Sequence, residues 1–433
     1  MNVSFATLGC KVNSYESQAL MTLFETHHYK IVPFKEYADV YIINTCSVTN
    51  QSEVKSRKLI RQALRRNPEA VVAVIGCYAQ LKSDEVLAIE GVDIVMGTQD
   101  RMRLLEHVEK VLHERQRILD VHDVSQSKTF DRLNVTHFKE QTRAYVKIQD
   151  GCQMFCTFCI IPFARGPMRS RPIEDILSEI HQLVEEGYKE VVLTGIHTGG
   201  YGLESKEHTL IDLIDAILAK TKVERLRISS IEFNQVTPAL IERLSREPRL
   251  AQHLHIPLQS GSTAILKRMR RRYDAQTYIH AIKALQETLP NLLITTDLIV
   301  GFPGEREEDF KETLQTLEAC RFYQVHVFPY SKRSGTQAAL MPDHLSKVVK
   351  SMRVNQVLQL SEKLQFQHHE RKKGQTLEII LEAFDEGVAY GHSSEYIYVA
   401  CEVERFEKGQ KIAVTLENTH VYPPKARLNT KNP

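Results

Sequence analysis

Tyr145-Val146-Lys147-Ile148-Gln149-Asp150-Gly151-Cys152-Gln153-Met154-Phe155-Cys156-Thr157-Phe158-Cys159 is a strand-like run that empties into a loop carrying three cysteines spaced C-x3-C-x2-C. Three thiolates this close on one loop can grip one face of an iron–sulfur cube and leave its fourth iron open to a substrate. A structural zinc site normally closes with four ligands, and no fourth Cys or His stands in the loop. A zinc module and incidental buried thiols are the competing readings.

Outward from this loop, the same alternation of apolar run and helical pattern occurs six times. The runs after Tyr145–Ile148 are Glu190–Leu193, Arg225–Ile228, His253–Ile256, Leu292–Val300 and Gln324–Phe328. Helical patterns include Ile173–Glu186, Leu210–Ala219 and Ala275–Thr288. Six β/α units predict an α/β fold with a partial (β/α)6 barrel. A flat doubly wound sheet produces the same periodicity.

Upstream, Val3–Leu8, Val40–Ile43 and Val71–Ile75 alternate with helical patterns over Ser14–Thr26, Gln51–Arg66 and Ser83–Ala88. This predicts an open parallel α/β sheet. Arg115 to Gln141 is polar and aperiodic and reads as a linker. Cys10, Cys46 and Cys77 each stand just past a predicted strand, and such strand ends share one ligand-binding edge. A second three-thiolate cluster is therefore expected, against the alternative of three ordinary core cysteines. Cys320 and Cys401 read as packing. His253 and His255 alternate on a strand, in a structural or pocket role, and His27-His28 and His368-His369 read as surface residues.

Downstream, Thr376–Leu381, Val388–Gly391, Tyr396–Ala400 and Lys411–Leu416 are short runs between turns, the pattern of a small all-β barrel. The expected units are 1–113, 138–369 and 372–433. The 433 residues are 42% apolar and 25% charged with a net charge of +2, which excludes a disordered chain. No apolar run is long enough to cross a membrane, and Met1–Ala6 opens no signal peptide. The expected compartment is the cytosol, where eight cysteines argue for metal binding over disulfides.

The cysteine loop, with Phe158 before its last Cys, resembles the radical S-adenosylmethionine (SAM) signature. Leu8–Asn13, Asn44-Thr45-Cys46, Gly76-Cys77, Cys152–Arg171, Thr194–Gly202 and His255–Ser262 together resemble the methylthiotransferases, and the tail is similar to their RNA-binding TRAM domain. Gly9-Cys10-Lys11-Val12-Asn13, the Thr194–Gly202 stretch and Lys267-Arg268-Met269-Arg270-Arg271 resemble the branch acting on N6-threonylcarbamoyladenosine beside the transfer-RNA anticodon. The isopentenyladenosine branch typically has Gln-Met at Lys11-Val12.

The resemblance implies two [4Fe–4S] clusters and SAM. The cluster on Cys152, Cys156 and Cys159 is implied to cleave SAM to a radical that attacks C2 of the adenine. The cluster on Cys10, Cys46 and Cys77 is implied to present the sulfur. A reducing electron donor and the anticodon stem-loop are the implied partners, with no membrane. Candidate SAM-binding residues at the strand ends are Phe158, Thr194, Gly195, Ser229, Ser230, Glu232, Gln259, Ser260 and Gly301 to Glu305, with Tyr330 and Ser331. The Gly-Gly-Glu motif of the superfamily is absent as such, since Gly199-Gly200 is followed by Tyr201. Three basic stretches suggest phosphate contacts: Lys55–Arg66, Lys267–Arg272, and Arg165, Arg169 and Arg171. The alternatives are methylthiolation of a ribosomal-protein aspartate and a non-catalytic iron–sulfur RNA-binding protein.

Overall fold

A computed structural model describes residues 1–135 and 142–429. The end of the expected linker, the expected domain start at residue 138 and the chain's last four residues lie outside them.

The first unit is one parallel sheet of β1 (Asn2–Thr7), β2 (Lys30–Val32), β3 (Val40–Thr45), β4 (Val71–Gly76), β5 (Ile94–Met96) and β6 (Ile118–Asp120), ordered β2-β1-β3-β4-β5-β6. β3 and β4 are buried along their whole length, so they read as unbroken apolar runs. β6 lies inside the stretch expected to be linker. Its three residues are too few for periodicity to register, yet Ile118 pairs with Ile94 across the sheet. The chain leaves β1 to one side for β2 and to the other for β3, which makes the β1/β3 junction a topological switch point.

The central unit comprises β7 (Arg143–Asp150), β8 (Arg169–Ser170), β9 (Glu190–Gly195), β10 (Arg225–Ile228), β11 (His253–His255), β12 (Leu293–Val300) and β13 (Gln324–Pro329). β7, β9 and β10 form one parallel run and β11, β12 and β13 another. Parallel bridges Leu226–Leu250 and Ser230–His255 join the two runs. Six parallel strands therefore follow one another in chain order. A doubly wound sheet reverses that order at its switch point, so the arc is a barrel, open between β7 and β13. The antiparallel β8 covers the free edge of β7. The 26-residue helix Lys347–Lys372 lies along β13. It buries His369, whose Nε2 lies 3.1 Å from the Tyr323 hydroxyl. His369 is thus not the surface residue expected: a His on a long polar helix shows no sign in sequence of which face it takes.

The tail forms a closed barrel, ordered β14-β15-β16-β18-β17, from β14 (Thr376–Asp385), β15 (Val388–Ser393), β16 (Tyr398–Glu402), β17 (Lys411–Asn418) and β18 (Lys425–Leu428). It seats on the amino ends of the central strands. Glu190 on β9 takes hydrogen bonds from Arg225 (3.2 Å) and Arg227 (2.6 Å) of β10. Both arginines also donate to tail carbonyls, of Glu378, His392, Ser393 and Ser394. Tyr396 stacks on His253 at 4.6 Å and lies under the Arg227 and Arg143 guanidinium groups.

Burial works against the Glu190 charge, but Arg227, Arg225 and Arg143 outweigh it and hold the carboxyl down to about 2. A depressed carboxyl contributes stability above its unfolded value, here 4.5, and loses it as pH falls toward the folded one. Acidification from pH 4.5 to about 2 is expected to loosen this joint, read by limited proteolysis around residue 373. Arg227→Ala, which leaves Glu190 with one fewer partner, is expected to raise the pH at which this begins.

Candidate functional site

Cys10, Cys46 and Cys77 follow β1, β3 and β4, the adjacent strands at the switch point. Polar side chains staple these three ends together. Asn13 donates to the carbonyls of Leu8 (2.8 Å) and Thr45 (3.1 Å). Asn44 donates to Asn13 O and Ser17 Oγ, each at 3.0 Å, and Thr45 Oγ1 donates to Ile75 O at 2.6 Å. Two glycines permit the close approach. A Cβ on Gly9 (φ 116°) would sit 3.2 Å from the Cys46 sulfur, and one on Gly76 (φ 95°) 2.5 Å from Asn44 Oδ1. Cys10 and Cys46 both feel Cys77 electrostatically.

The loop of Cys152, Cys156 and Cys159 is pinned from three directions. Cys152 N donates to Gly166 O (3.1 Å), Thr157 Oγ1 donates to Arg268 O (2.9 Å), and Ala338 N donates to Thr157 O (2.8 Å). Arg271 donates to Cys156 Sγ at 3.3 Å while paired with Glu232.

Burial raises Cys46 and Cys152 to about 11 and Cys159 to about 12. Such thiols are poor nucleophiles and keep their protons unless a metal displaces them. Among the described residues, no group of three His, Cys, Asp or Glu is gathered tightly enough for a single ion. A multi-iron cube spaces its thiolates more widely, and a donor arginine on Cys156 suits sulfur carrying negative charge. Both sets fit iron–sulfur clusters.

One buried charge network joins the two sets. Arg165 reaches Asn13 Oδ1 (2.8 Å) and Glu16 (2.5 Å) in the helix Lys11–Thr26, and Asp150 (3.3 Å) at the end of β7. Lys147 bridges Glu16 (2.8 Å) and Asp150 (2.7 Å); Arg101 adds to Glu16 and Arg169 to Asp150. Burial opposes the Glu16 charge, but Arg101, Arg165 and Lys147 hold it down to about 2. Four cations (Arg101, Lys147, Arg165, Arg169) face three carboxylates (Glu16, Asp150, Asp131), a surplus that suits anionic clusters on either side. Arg165, Arg169 and Arg171 are therefore interior residues and not the phosphate contacts expected. In sequence they read as a basic stretch because their acids stand elsewhere, Glu16 among them.

A second latch lies at the far edge of the barrel. Arg333 binds Ser47 (2.7 Å), Asn50 (2.8 Å) and Glu53 (2.5 Å), just after Cys46. Ser331, a SAM candidate, accepts from Asn50 N at 3.2 Å and so serves this joint. The first unit thus spans the open barrel from β7 to β13, with its thiol edge at the barrel's mouth.

The other candidates spread along the strand ends. Phe158 packs on the Phe302–Tyr330 cluster. Thr194 is buried, and Gly195 lies against the Gln149 carbonyl. Ser229 bonds Thr198 at 3.0 Å, and Ser230 is exposed. Gln259 adopts φ 67° to pair with β12, and the Ser260 hydroxyl accepts from Ser262 N. Gly301 turns at φ 70° and donates its N–H to Glu305. Glu305 is buried on Arg353 (2.8 Å), so its carboxylate shapes this turn. Asn13 and Arg333 matter here without having been proposed for the site, because partners of theirs lie far along the chain; Arg271, expected among the phosphate contacts, is instead buried on Cys156 and Glu232.

Residues 146–317 match the Radical SAM superfamily, and residues 2–97 match the Uncharacterized protein family UPF0004. A threonylcarbamoyladenosine tRNA methylthiotransferase MtaB of Bacillus subtilis is 47% identical over 92% of this chain and 89% of its own length. The Aquifex aeolicus protein of that name is 37% identical over 88% and 93%. A tRNA-2-methylthio-N(6)-dimethylallyladenosine synthase of Methylacidiphilum infernorum is 35% identical over 88% and 84%. Among solved structures, the radical S-adenosylmethionine methyltransferase TsrM of Kitasatospora setae has a TM-score of 0.55 at 13% identity, covering 75% of this chain and 72% of that one, a likeness of fold.

Proposed function

Because the chain belongs to the radical SAM tRNA methylthiotransferases of the threonylcarbamoyladenosine type, we infer that its two cysteine sets serve one reaction at one mouth. That reaction puts a methylthio group on C2 of N6-threonylcarbamoyladenosine in transfer RNA. When bound, the two [4Fe–4S] clusters and SAM supply radical cleavage and the sulfur, chemistry beyond any side chain. Cys152, Cys156 and Cys159 hold the cluster that meets SAM; Cys10, Cys46 and Cys77 hold the other.

Arg271 steadies the Cys156 sulfur. Phe158, Thr194, Gly195, Ser229, Ser230, Glu232, Gln259, Ser260, Gly301 and Glu305 form or support the SAM pocket. The observation that carries this reading is Arg165, bonded at once to Asn13 beside Cys10 and to Asp150 beside Cys152. The protein works in the cytosol with a reducing electron donor, and the tail 372–433 supports the RNA.

Reconstituted protein, given dithionite, SAM and an anticodon stem-loop bearing threonylcarbamoyladenosine, is expected to yield 5′-deoxyadenosine and the 2-methylthio nucleoside by mass spectrometry. Methylthiolation of a dimethylallyl RNA or of ribosomal protein instead would overturn the assignment.

The helix Asn50–Arg66 starts at the Arg333 latch and exposes Lys55, Lys58, Arg61 and Arg65 along its length. Exposed cations that neutralise phosphates release counter-ions. Changing these four to Gln is expected to weaken stem-loop binding for all sequences alike. It is also expected to flatten the salt dependence by about 1 in log–log slope for each phosphate left without its cation. An unchanged slope would remove this helix from the RNA path.

A further inference from the structure

Lys11 begins the helix Lys11–Thr26, next in chain to Cys10. Its side chain is open to solvent, yet the charged groups around it come from inside the ring of central strands. Arg143 stands on β7, Glu190 on β9, Arg227 on β10 and Asp297 on β12. His253 on β11 and His326 on β13 feel it in turn. Every one of the six parallel strands thus contributes a group near this ammonium, and the helix Lys11–Thr26 itself packs against β7 and β9, which sets Lys11 at the barrel's lumen.

The lumen's own charges are already matched. Glu190 serves Arg225 and Arg227, Arg143 has Glu382 at 3.5 Å, and Asp297 has His255 at 3.1 Å. Lys11 makes no hydrogen bond or ion pair among the described residues. No protein group among them holds this ammonium, so a carboxylate that enters the lumen is free to pair with it.

The substrate brings such an anion. The threonylcarbamoyl chain on N6 ends in a free carboxylate. C6, which bears that chain, and C2, which is modified, flank the same ring nitrogen. A group beside the thiols that serve C2 is therefore within reach of the N6 chain, and Lys11 is bonded directly to Cys10. We propose that Lys11 is the specificity residue of this enzyme: its ammonium pairs with the carboxylate of the threonylcarbamoyl group inside the barrel and orients the purine. This rests on the function inferred above.

The test uses reconstituted holoenzyme and two stem-loops, one bearing the free acid and one its methyl ester, which keeps the shape and removes the charge. In Lys11→Gln, kcat/KM for the free acid is expected to fall about ten- to a hundredfold, the worth of one charge-assisted hydrogen bond. For the ester, Lys11→Gln and the parent are expected to be equal within about twofold, and Lys11→Arg is expected to restore most of the free-acid preference. Iron content shows that both variants carry their clusters. Equal losses on both RNAs, or none on either, overturn the proposal while leaving the reaction intact. A parent protein inactive on the free-acid RNA overturns the reaction and this proposal with it.

Discussion

Replacing Cys10, Cys46 and Cys77 together with alanine is expected to abolish the 2-methylthio product while 5′-deoxyadenosine continues to form from SAM. The same substitution at Cys152, Cys156 and Cys159 is expected to abolish both. The asymmetry follows from two sets that sit in separate sheets, each stapled by its own backbone. Asn13, Asn44 and Thr45 hold the first set; hydrogen bonds to Gly166, Arg268 and Ala338 hold the second. Removing one set of thiols leaves the other's scaffold standing. Iron should fall by roughly half in either variant, about four atoms per cluster. Methylthio product from the Cys10, Cys46 and Cys77 variant, in RNA from cells lacking any other copy, would end the two-cluster reading.

Arg165→Ala is expected to cost about 3–5 kcal/mol, the usual penalty for stripping one partner from buried charges, against a total stability of about 5–15 kcal/mol. Glu16 and Asp150 would keep Lys147, Arg101 and Arg169, so the fold is expected to survive, with a lower urea midpoint. The pH dependence is distinctive. Both carboxyls are held below their ordinary values, so they stabilise the native state above those values and cease to as pH falls. With Arg165 gone the depression shrinks, and acid unfolding should begin at higher pH than in the parent. Arg165→Lys keeps the charge but not the two-pronged grip, and should recover much of the stability. Activity separates positioning from mere stability: below the variant's unfolding temperature, 5′-deoxyadenosine should form in excess over methylthio product, because the two thiol sets are no longer held in register. Equal coupling of the two products in Arg165→Ala would leave Arg165 with a purely structural role.

The cysteine sets were legible in sequence for different reasons. Cys152, Cys156 and Cys159 declare themselves by spacing. Cys10, Cys46 and Cys77 do so only because each ends an apolar run, which places them on one edge before any coordinate is known. The long buried strands were legible for the same reason, whereas β2, β5, β6 and β18 were too short to leave a period. Hidden altogether were pairings between distant residues. Arg165 needs Glu16, Arg333 needs Glu53, and Arg227 needs Glu190 and tail carbonyls. A basic residue looks alike in sequence whether it awaits RNA or a carboxylate from another element, which is why one of three basic stretches, and Arg271 of a second, proved to be interior.

The two latches at the edges of the open barrel carry a consequence for how RNA is handled. With β7 tied through Arg165 and β13 through Arg333, and the tail seated across the strands' other ends, a nucleotide reaches the lumen from the thiol edge. The nucleotide must swing out of its loop, leaving its neighbours unstacked. A fluorescent purine placed beside it should brighten on binding, and loops braced against eversion should be poor substrates however well their sequence matches.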